Sequence, residues 1–232
     1  MKIAGLHKVS LIDFPERIAA TVFLAGCNLR CAYCHNRWML DASSVEPVSS
    51  VPAFLDWLQT RAGRLDGVCI SGGEPTLHQE LADFVQAIKS LGLAVKLDTN
   101  GTRPEQLARL LDRQLLDYVA MDLKAPLDPR YSTVAGAPVD LLAIRQSLKL
   151  LRAWGSAYEL RTTVGPSVSA DMLRDMARIV AEHEVWYLQP FLPAPTVNPE
   201  VSAQPYLRED ELEQLAQELR PLAHGVRVRA TN

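Results

Sequence analysis

The sequence predicts an α/β fold, a partial, open TIM-like barrel of about six βα units. Short apolar runs of strand length alternate along the chain with longer segments whose apolar residues recur at helical spacing. This alternation is typical of a parallel sheet whose strands are joined by right-handed crossovers. The chain has 232 residues, whereas a complete eight-unit barrel typically needs about 250, so an incomplete barrel is favoured. A doubly wound sheet is the alternative.

The predicted strands are short and apolar. The first, at residues 18–24 (IAATVFL), follows a lead-in at residues 1–17 that we expect to be extended. Ligands bind at the carboxyl ends of the strands in both architectures, so the residues that follow each strand are candidates for a site. Later strands are predicted at residues 67–71, 93–98, 117–123, 158–164, 185–189 and 226–229.

The predicted helices lie between these strands. Pro104 opens one helix, because the missing N–H of proline costs nothing in the first turn, and Ser169 is a candidate N-cap of another. Residues 190–205 are rich in proline and form either a rigid loop at the open side of the barrel or a simple connector. Helices are predicted at residues 51–61, 77–91, 104–111, 139–154, 169–183 and 208–219.

The length allows one large domain or two small ones, and we expect one domain over residues 1–232, with the lead-in at 1–17 and the barrel at 18–232. Hydrophobic residues make up 48% and charged residues 22%, which excludes a disordered or low-complexity chain. The net charge of -3 gives no electrostatic reason to expect a nucleic-acid partner. No apolar run reaches the roughly 18 residues that span a bilayer, and the N-terminus carries no secretory signal pattern, so we expect no membrane partner.

Three of the four cysteines lie close together. Cys27, Cys31 and Cys34 form a C-x3-C-x2-C pattern directly after the first strand. Such clustering is typical of a metal site and favours a reducing, cytoplasmic location. A [4Fe–4S] cluster ordinarily takes four cysteines, so three would leave one iron free to bind a small molecule. Structural zinc, with His35 as the fourth ligand, is the alternative.

The fourth cysteine, Cys69, lies within the apolar strand predicted at residues 67–71. Free cysteine is commonly buried as a small apolar side chain, and we expect this of Cys69. One remaining cysteine cannot build a second, fully cysteine-bound cluster.

Residues 25–36 (AGCNLRCAYCHN), hereafter the cysteine loop, resemble the cluster loop of radical S-adenosylmethionine (SAM) enzymes. The segment at 10–27 (SLIDFPERIAATVFLAGC) is similar to the glycyl-radical-enzyme activases, especially the single-domain anaerobic ribonucleoside-triphosphate reductase activating proteins. The resemblance covers most of the chain and implies a radical SAM core. It also implies a [4Fe–4S] cluster held by Cys27, Cys31 and Cys34, with SAM bound at the remaining iron.

The resemblance further implies an activity. An electron from flavodoxin or ferredoxin would cleave SAM, and the resulting 5′-deoxyadenosyl radical would remove a hydrogen from a glycine of a partner enzyme. We expect that partner to be a glycyl radical enzyme, anaerobic ribonucleotide reductase in particular. A radical SAM enzyme acting on a small molecule and a non-catalytic zinc-binding module are the alternatives. No catalytic residue is expected beyond the cluster and SAM ligands.

Two segments near the cysteines are implied SAM contacts. Tyr33 stands where the family usually carries an aromatic residue beside the adenine, and packing within the loop is its alternative. Gly72, Gly73 and Glu74 follow the second strand, where glycines let a ligand approach the backbone. In the family this segment holds the methionyl amino group, and an ordinary turn is the alternative.

Charged residues end the later strands. Asp98 ends the third strand, and we expect it to point toward the site. Asp122 and Lys124 project together, and resemblance to the pyruvate formate-lyase activase implies contacts with ribose and carboxylate, respectively. A surface ion pair is the alternative. Arg161, inside an apolar strand, resembles an activase arginine near SAM. Gln189 stands near the position of an activase histidine, so that contact passes to Gln189 or is absent.

Overall fold

The computed structural model describes residues 1–155, 157–194 and 199–229. Residues 195–198 of the proline-rich segment therefore lie outside the described part of the chain. The described strands form one eight-stranded sheet in the order of the sequence. The strands are β1 (Ile3–Ser10), β2 (Ala19–Leu24), β3 (Gly67–Gly72), β4 (Ala94–Thr99), β5 (Tyr118–Asp122), β6 (Tyr158–Val164), β7 (Trp186–Pro190) and β8 (Val226–Val228).

The order of the strands decides between the two predicted architectures. From β3 to β8 each strand pairs in parallel with the strand before it. A doubly wound sheet would reverse this order at a switch point. Within the described residues β1 and β8 are the two edges of the sheet. The predicted α/β fold with an open, partial barrel is confirmed.

The lead-in contributes a strand of its own. β1 pairs antiparallel with β2, with Leu6 opposite Val22 and His7 opposite Thr21. Ile3 is fully buried in this strand, whereas residues 7–9 are exposed. An edge strand of this kind has no continuous apolar run, so the sequence shows only an extended segment.

The helices fall between the strands, as predicted. Ser169 caps one of them, since its hydroxyl oxygen accepts a hydrogen bond from the Met172 N–H. Of the helices in the described residues, none is long and apolar enough to cross a membrane. The helices are α1 (Val51–Gln59), α2 (Leu81–Ser90), α3 (Pro104–Asp112), α4 (Arg130–Ala135), α5 (Leu141–Trp154), α6 (Ala170–Ala177), α7 (Pro199–Ser202) and α8 (Glu209–Leu219).

The two faces of the sheet differ in chemistry. In β4, Val95 and Leu97 are fully buried in the hydrophobic core that the helices cover. Lys96 and Asp98 alternate with them and therefore face the interior of the barrel. This interior is polar, and it leads to the carboxyl ends of the strands, where a cavity opens.

Candidate active site

A cavity of about 360 Å³ opens at the carboxyl ends of the parallel strands. The cysteine loop forms one wall, and residues at the ends of β3 to β7 form the others. Every site residue proposed from the sequence lines this cavity. They are Cys27, Cys31, Tyr33, Cys34, Gly72, Gly73, Glu74, Asp98, Asp122, Lys124 and Arg161.

Backbone hydrogen bonds hold the cysteine loop in place. The Gly26 N–H donates to the Met39 carbonyl at 2.8 Å, and the Cys27 N–H donates to the Leu40 carbonyl at 3.0 Å. Further along, the Arg30 N–H donates to a carbonyl at the end of α4 at 2.8 Å. These bonds attach the loop to residues 39–40 and to the end of α4, so the three thiols have defined positions.

The three thiols lie in a partly dry environment. Cys31 is buried, while Cys27 and Cys34 are half-buried. Burial raises the pKa of the Cys27 thiol to about 11 and also raises the pKa of Cys34. The Leu29 N–H donates to Cys27 Sγ at 3.4 Å. A sulfur that already receives an N–H donor is a suitable cluster ligand, because such bonds stabilise thiolate charge.

The donor set fits an iron–sulfur cluster better than a single zinc ion. In the described part of the chain, no three His, Cys, Asp or Glu side chains converge closely enough to hold one metal ion. His35 Nε2 is hydrogen-bonded to the Leu192 carbonyl oxygen at 2.8 Å, which occupies the proposed fourth zinc ligand. In a cubane cluster each thiolate binds a different iron, so three thiols along one wall suit it.

Cys69 is separate from this wall. It is fully buried in β3, as predicted, and it is not among the residues that line the cavity. Lys96 Nζ donates to its sulfur at 3.7 Å.

The glycines after β3 make room for the cysteine loop. A Cβ on Gly73 would lie 2.1 Å from the Gly26 carbonyl oxygen, and one on Gly72 would lie 2.4 Å from Leu24 backbone atoms. The Glu74 N–H donates to the same Gly26 carbonyl at 2.8 Å. The sequence predicts ligand approach at these glycines, with an ordinary turn as the alternative, and the structure adds that backbone packing also requires them.

Hydrogen bonds to the Glu74 carboxylate connect the end of β3 to the end of β4. The carboxylate is fully buried and accepts hydrogen bonds from the Thr99 hydroxyl at 2.8 Å and the Asn100 N–H at 2.6 Å. The N–H and hydroxyl of Thr76 also donate to it. Since these four donors occupy the carboxylate, any ligand contact from this segment falls to the backbone.

Asn100 connects the end of β4 to the cysteine loop. Its Nδ2 donates to Asn28 Oδ1 at 3.0 Å and lies 4.0 Å from Cys27 Sγ. Asn28 in turn donates to the Thr102 hydroxyl at 2.8 Å. Local sequence does not indicate this role of Asn100, because its contacts depend on a loop more than 70 residues away.

Four charged side chains, hereafter the cavity floor, form a continuous network of ion pairs. They are Asp98, Asp122, Lys124 and Arg161. Arg161 donates to Asp122 Oδ1 at 3.0 Å and to Asp98 Oδ2 at 3.1 Å. Lys124 Nζ donates to the other oxygen of Asp122 at 3.3 Å. The predicted pairing of Asp122 with Lys124 therefore exists inside the cavity and not as an isolated surface ion pair.

The network keeps the cavity floor ionised. Burial favours the neutral acids, but the Arg161 charge, with Lys96 and Lys124, holds the pKa of Asp98 and Asp122 below the usual range. Despite burial, Asp122 raises the pKa of Lys124 and Arg161. The floor therefore presents fixed charges of both signs at neutral pH, which suits a zwitterionic ligand.

Tyr33 and Gln189 complete the walls. Tyr33 is buried and packs against Gly165, where a Cβ would lie 3.3 Å from the Tyr33 Cβ. It also lines the cavity, so loop packing and ligand contact are compatible. Gln189, at the end of β7, lines the cavity as well.

Comparison with known proteins identifies the family. The profile of the Radical SAM superfamily matches residues 21–180. The chain belongs to the radical SAM superfamily. It is a radical SAM enzyme, and its cofactors are a [4Fe–4S] cluster and SAM, as in the rest of the family.

Curated relatives place the chain near the activases. It is 32% identical to a provisionally named glycyl-radical enzyme activating enzyme of Methanocaldococcus jannaschii over 99% of this chain and 96% of that protein. It is 28% identical to the pyruvate formate-lyase-activating enzyme of Clostridium pasteurianum over 77% and 76%. The chain is thus an activase-like radical SAM enzyme.

Solved structures share the fold. Streptococcus suis SuiB bound to S-adenosylmethionine superposes with a TM-score of 0.66 at 14% identity, covering 91% of this chain and 52% of that one. A domain of the pyruvate-formate lyase-activating enzyme of Bacteroides vulgatus gives 0.57 at 21% identity, covering 71% and 99%. At these identities the likeness shows the fold alone.

Proposed function

We propose that this enzyme generates a glycyl radical on a partner enzyme, and that the partner is anaerobic ribonucleoside-triphosphate reductase. The observation that carries the proposal is the shared cavity, in which three cysteines face a floor of fixed charges. Similarity to an activating enzyme over nearly the whole chain supports the reaction class. Resemblance of residues 10–27 to the reductase activating proteins supports the partner.

The cofactors supply the radical chemistry. When both are bound, the cluster and SAM would supply a one-electron reductive cleavage of SAM, with flavodoxin or ferredoxin as electron donor, and so the removal of a hydrogen atom from the partner's glycine. Cys27, Cys31 and Cys34 would hold the cluster, and Cys69 is not among the residues that line the cavity. None of the four cysteines is paired in a disulfide, which agrees with the cytoplasmic location expected from the sequence.

The chain's own residues bind and orient SAM in this proposal. Lys124 and Arg161 face its carboxylate, since both are donors with no acceptor atoms. Asp122 accepts from the ribose hydroxyls, because an ionised carboxylate is an acceptor only. The backbone of Gly72 and Gly73 binds the amino group. Tyr33 lies against the adenine. Asp98, one of the four residues of the cavity floor, also contacts SAM.

The test is the formation of a glycyl radical on the purified reductase. Anaerobically reconstituted enzyme is reduced and mixed with SAM and the reductase, and electron paramagnetic resonance (EPR) is recorded. A glycyl radical doublet that requires SAM, and that is lost when the reductase glycine is replaced by alanine, supports the proposal. Formation of 5′-deoxyadenosine without any doublet contradicts it and supports the small-molecule alternative.

A further inference from the structure

A buried lysine lies beneath the cavity floor. Lys96 is 2% exposed and sits two residues before Asp98 on β4, so both side chains face the barrel interior. Its ammonium donates to Asp98 Oδ1 and, at 3.7 Å, to Cys69 Sγ. Lys96 is not among the residues that line the cavity, so it cannot touch a ligand there. Lysine is almost never fully buried unless it is paired, and Asp98 is the partner that explains its burial.

Lys96 and Arg161 donate to different oxygens of the Asp98 carboxylate. Asp98 Oδ1 is taken by Lys96, while Oδ2 accepts from the Ser71 hydroxyl at 3.0 Å and from Arg161 at 3.1 Å. Arg161 bonds Asp122 through its Nε, and Asp122 bonds Lys124. The charges therefore alternate from one side chain to the next and begin and end with a cation.

The alternation has an electrostatic consequence. The four floor residues alone would neutralise one another, because two carboxylates face two cations. Lys96 also pairs with Asp98 and offsets part of its negative charge. Part of the positive charge of Arg161 and Lys124 is therefore not offset by a carboxylate. The buried carboxylate of Glu159 does not cancel it, because Glu159 is paired with Arg229 at 2.8 Å.

We propose that Lys96 is a positioning residue for SAM: from below the floor it orients Asp98 and leaves Arg161 and Lys124 with positive charge for the methionyl carboxylate. The inference rests on the proposed use of this cavity for SAM. Charges in a site of low dielectric interact strongly over short distances. Loss of the buried Lys96 charge therefore affects a ligand with which Lys96 makes no contact.

The experiment compares two ligands on anaerobically reconstituted enzyme. SAM carries the methionyl carboxylate, whereas 5′-methylthioadenosine lacks the whole aminocarboxypropyl group, carboxylate included, together with the sulfonium charge, and keeps the adenosine. We expect Lys96→Met to raise the Kd of SAM about tenfold and that of 5′-methylthioadenosine less than about twofold. Lys96→Gln keeps a hydrogen-bond donor and loses the charge, and we expect the same selective loss from it.

A matched control removes a lysine from another ion pair. Lys89 pairs with Asp117 at 2.8 Å and is not among the residues that line the cavity, so Lys89→Met should bind SAM as the wild type does. Iron and sulfide content and melting temperature are measured for every variant. If Lys96→Met fails to fold, Lys96→Met/Asp98→Asn removes both charges of the pair, which buried sites tolerate better than loss of one. This double variant should bind SAM more tightly than Lys96→Gln, because Arg161 is freed from Asp98.

The outcomes separate the two proposals. Wild-type enzyme that does not bind SAM refutes the proposed function itself. Wild-type enzyme that binds SAM, together with Lys96 variants that bind it equally well, overturns the role of Lys96. Equal weakening of both ligands also overturns it, because a general distortion of the cavity would then explain the loss.

Discussion

Two buried cysteines of this chain have different surroundings. Cys31 lies in the cysteine loop and lines the cavity, with Cys27 and Cys34 in the same wall. Cys69 is sealed in β3 beside Lys96 and does not line the cavity. The same residue type therefore serves as a proposed cluster ligand in one place and as a packed side chain in the other.

Replacing Cys31 tests this distinction. Cys31→Ala should abolish cluster binding, because two thiolates of one loop do not hold a cubane cluster, while the fold stays intact. Iron and sulfide analysis after anaerobic reconstitution, with circular dichroism, measures both. Cys69→Ala is the control and should keep its iron at a cost of about 1 kcal/mol in unfolding free energy. A normal cluster in Cys31→Ala would contradict the ligand assignment.

Some site residues can be predicted from the neighbouring sequence, and others depend on contacts with distant parts of the chain. Asp98, Asp122 and Lys124 could be predicted, because parallel strands bring their carboxyl ends to one edge and each residue follows an apolar run. Lys96 could not, because its burial depends on which face of β4 points inward and on the charge of Asp98. Glu74 could not be predicted as a buried hydrogen-bond acceptor, because two of its donors come from the end of β4.

At the scale of elements, the end of β3 and the cysteine loop are packed backbone against backbone. The Gly73 N–H donates to the carbonyl of Leu24, the last residue of β2, at 2.9 Å. The Glu74 N–H donates to the Gly26 carbonyl of the cysteine loop. There is no space for a side chain at Gly73. The position of the thiols therefore depends on this junction.

A methyl group at Gly73 should disrupt the junction. Gly73→Ala places a carbon 2.1 Å from a backbone oxygen, so the loop must move. We expect a loss of more than about 2 kcal/mol in unfolding free energy and a lower iron content. Urea unfolding and iron analysis measure these. Gly92→Ala, with φ of +78° and nothing within 4 Å, is the control, and should cost about 1 kcal/mol without loss of iron. Equal iron in both variants with equal stability would refute the packing argument.

Most helices and strands could be predicted from the spacing of apolar residues along the sequence. The elements that could not be predicted lack such a repeat for specific physical reasons. α4 has six residues and follows a segment with two prolines, so it shows no helical repeat. Its identity as a helix depends on burial of Tyr131, Val134 and Ala135. It ends at Gly136 with φ of +65°, where a Cβ would lie 2.2 Å from the Arg30 carbonyl oxygen of the cysteine loop.

At the scale of the whole molecule, the barrel interior is held by ion pairs. The cavity floor joins β4, β5 and β6 above Lys96, and Glu159 with Arg229 joins β6 to the residue after β8. Replacing one member of such a buried pair is more costly than replacing both. The interior charges thus link strands that lie far apart in the sequence.

These pairs predict a dependence of stability on acidity. The pKa of Asp98 and Asp122 is lower in the folded protein than in the unfolded chain. Below about pH 4 the unfolded state therefore binds more protons, and the stabilisation present at neutral pH is lost as the pH falls. Urea unfolding of the cluster-free protein between neutral pH and about pH 3 measures this, and Asp98→Asn should flatten the curve. An unchanged slope in Asp98→Asn would contradict the ionised floor.

The most direct test of the account is whether SAM binds at an iron that no side chain occupies. The reduced, reconstituted enzyme is examined by EPR with and without SAM. We predict a [4Fe–4S] signal whose shape and g values change when SAM is added. An unchanged signal from a cluster whose four irons are all bound by side chains would contradict the account.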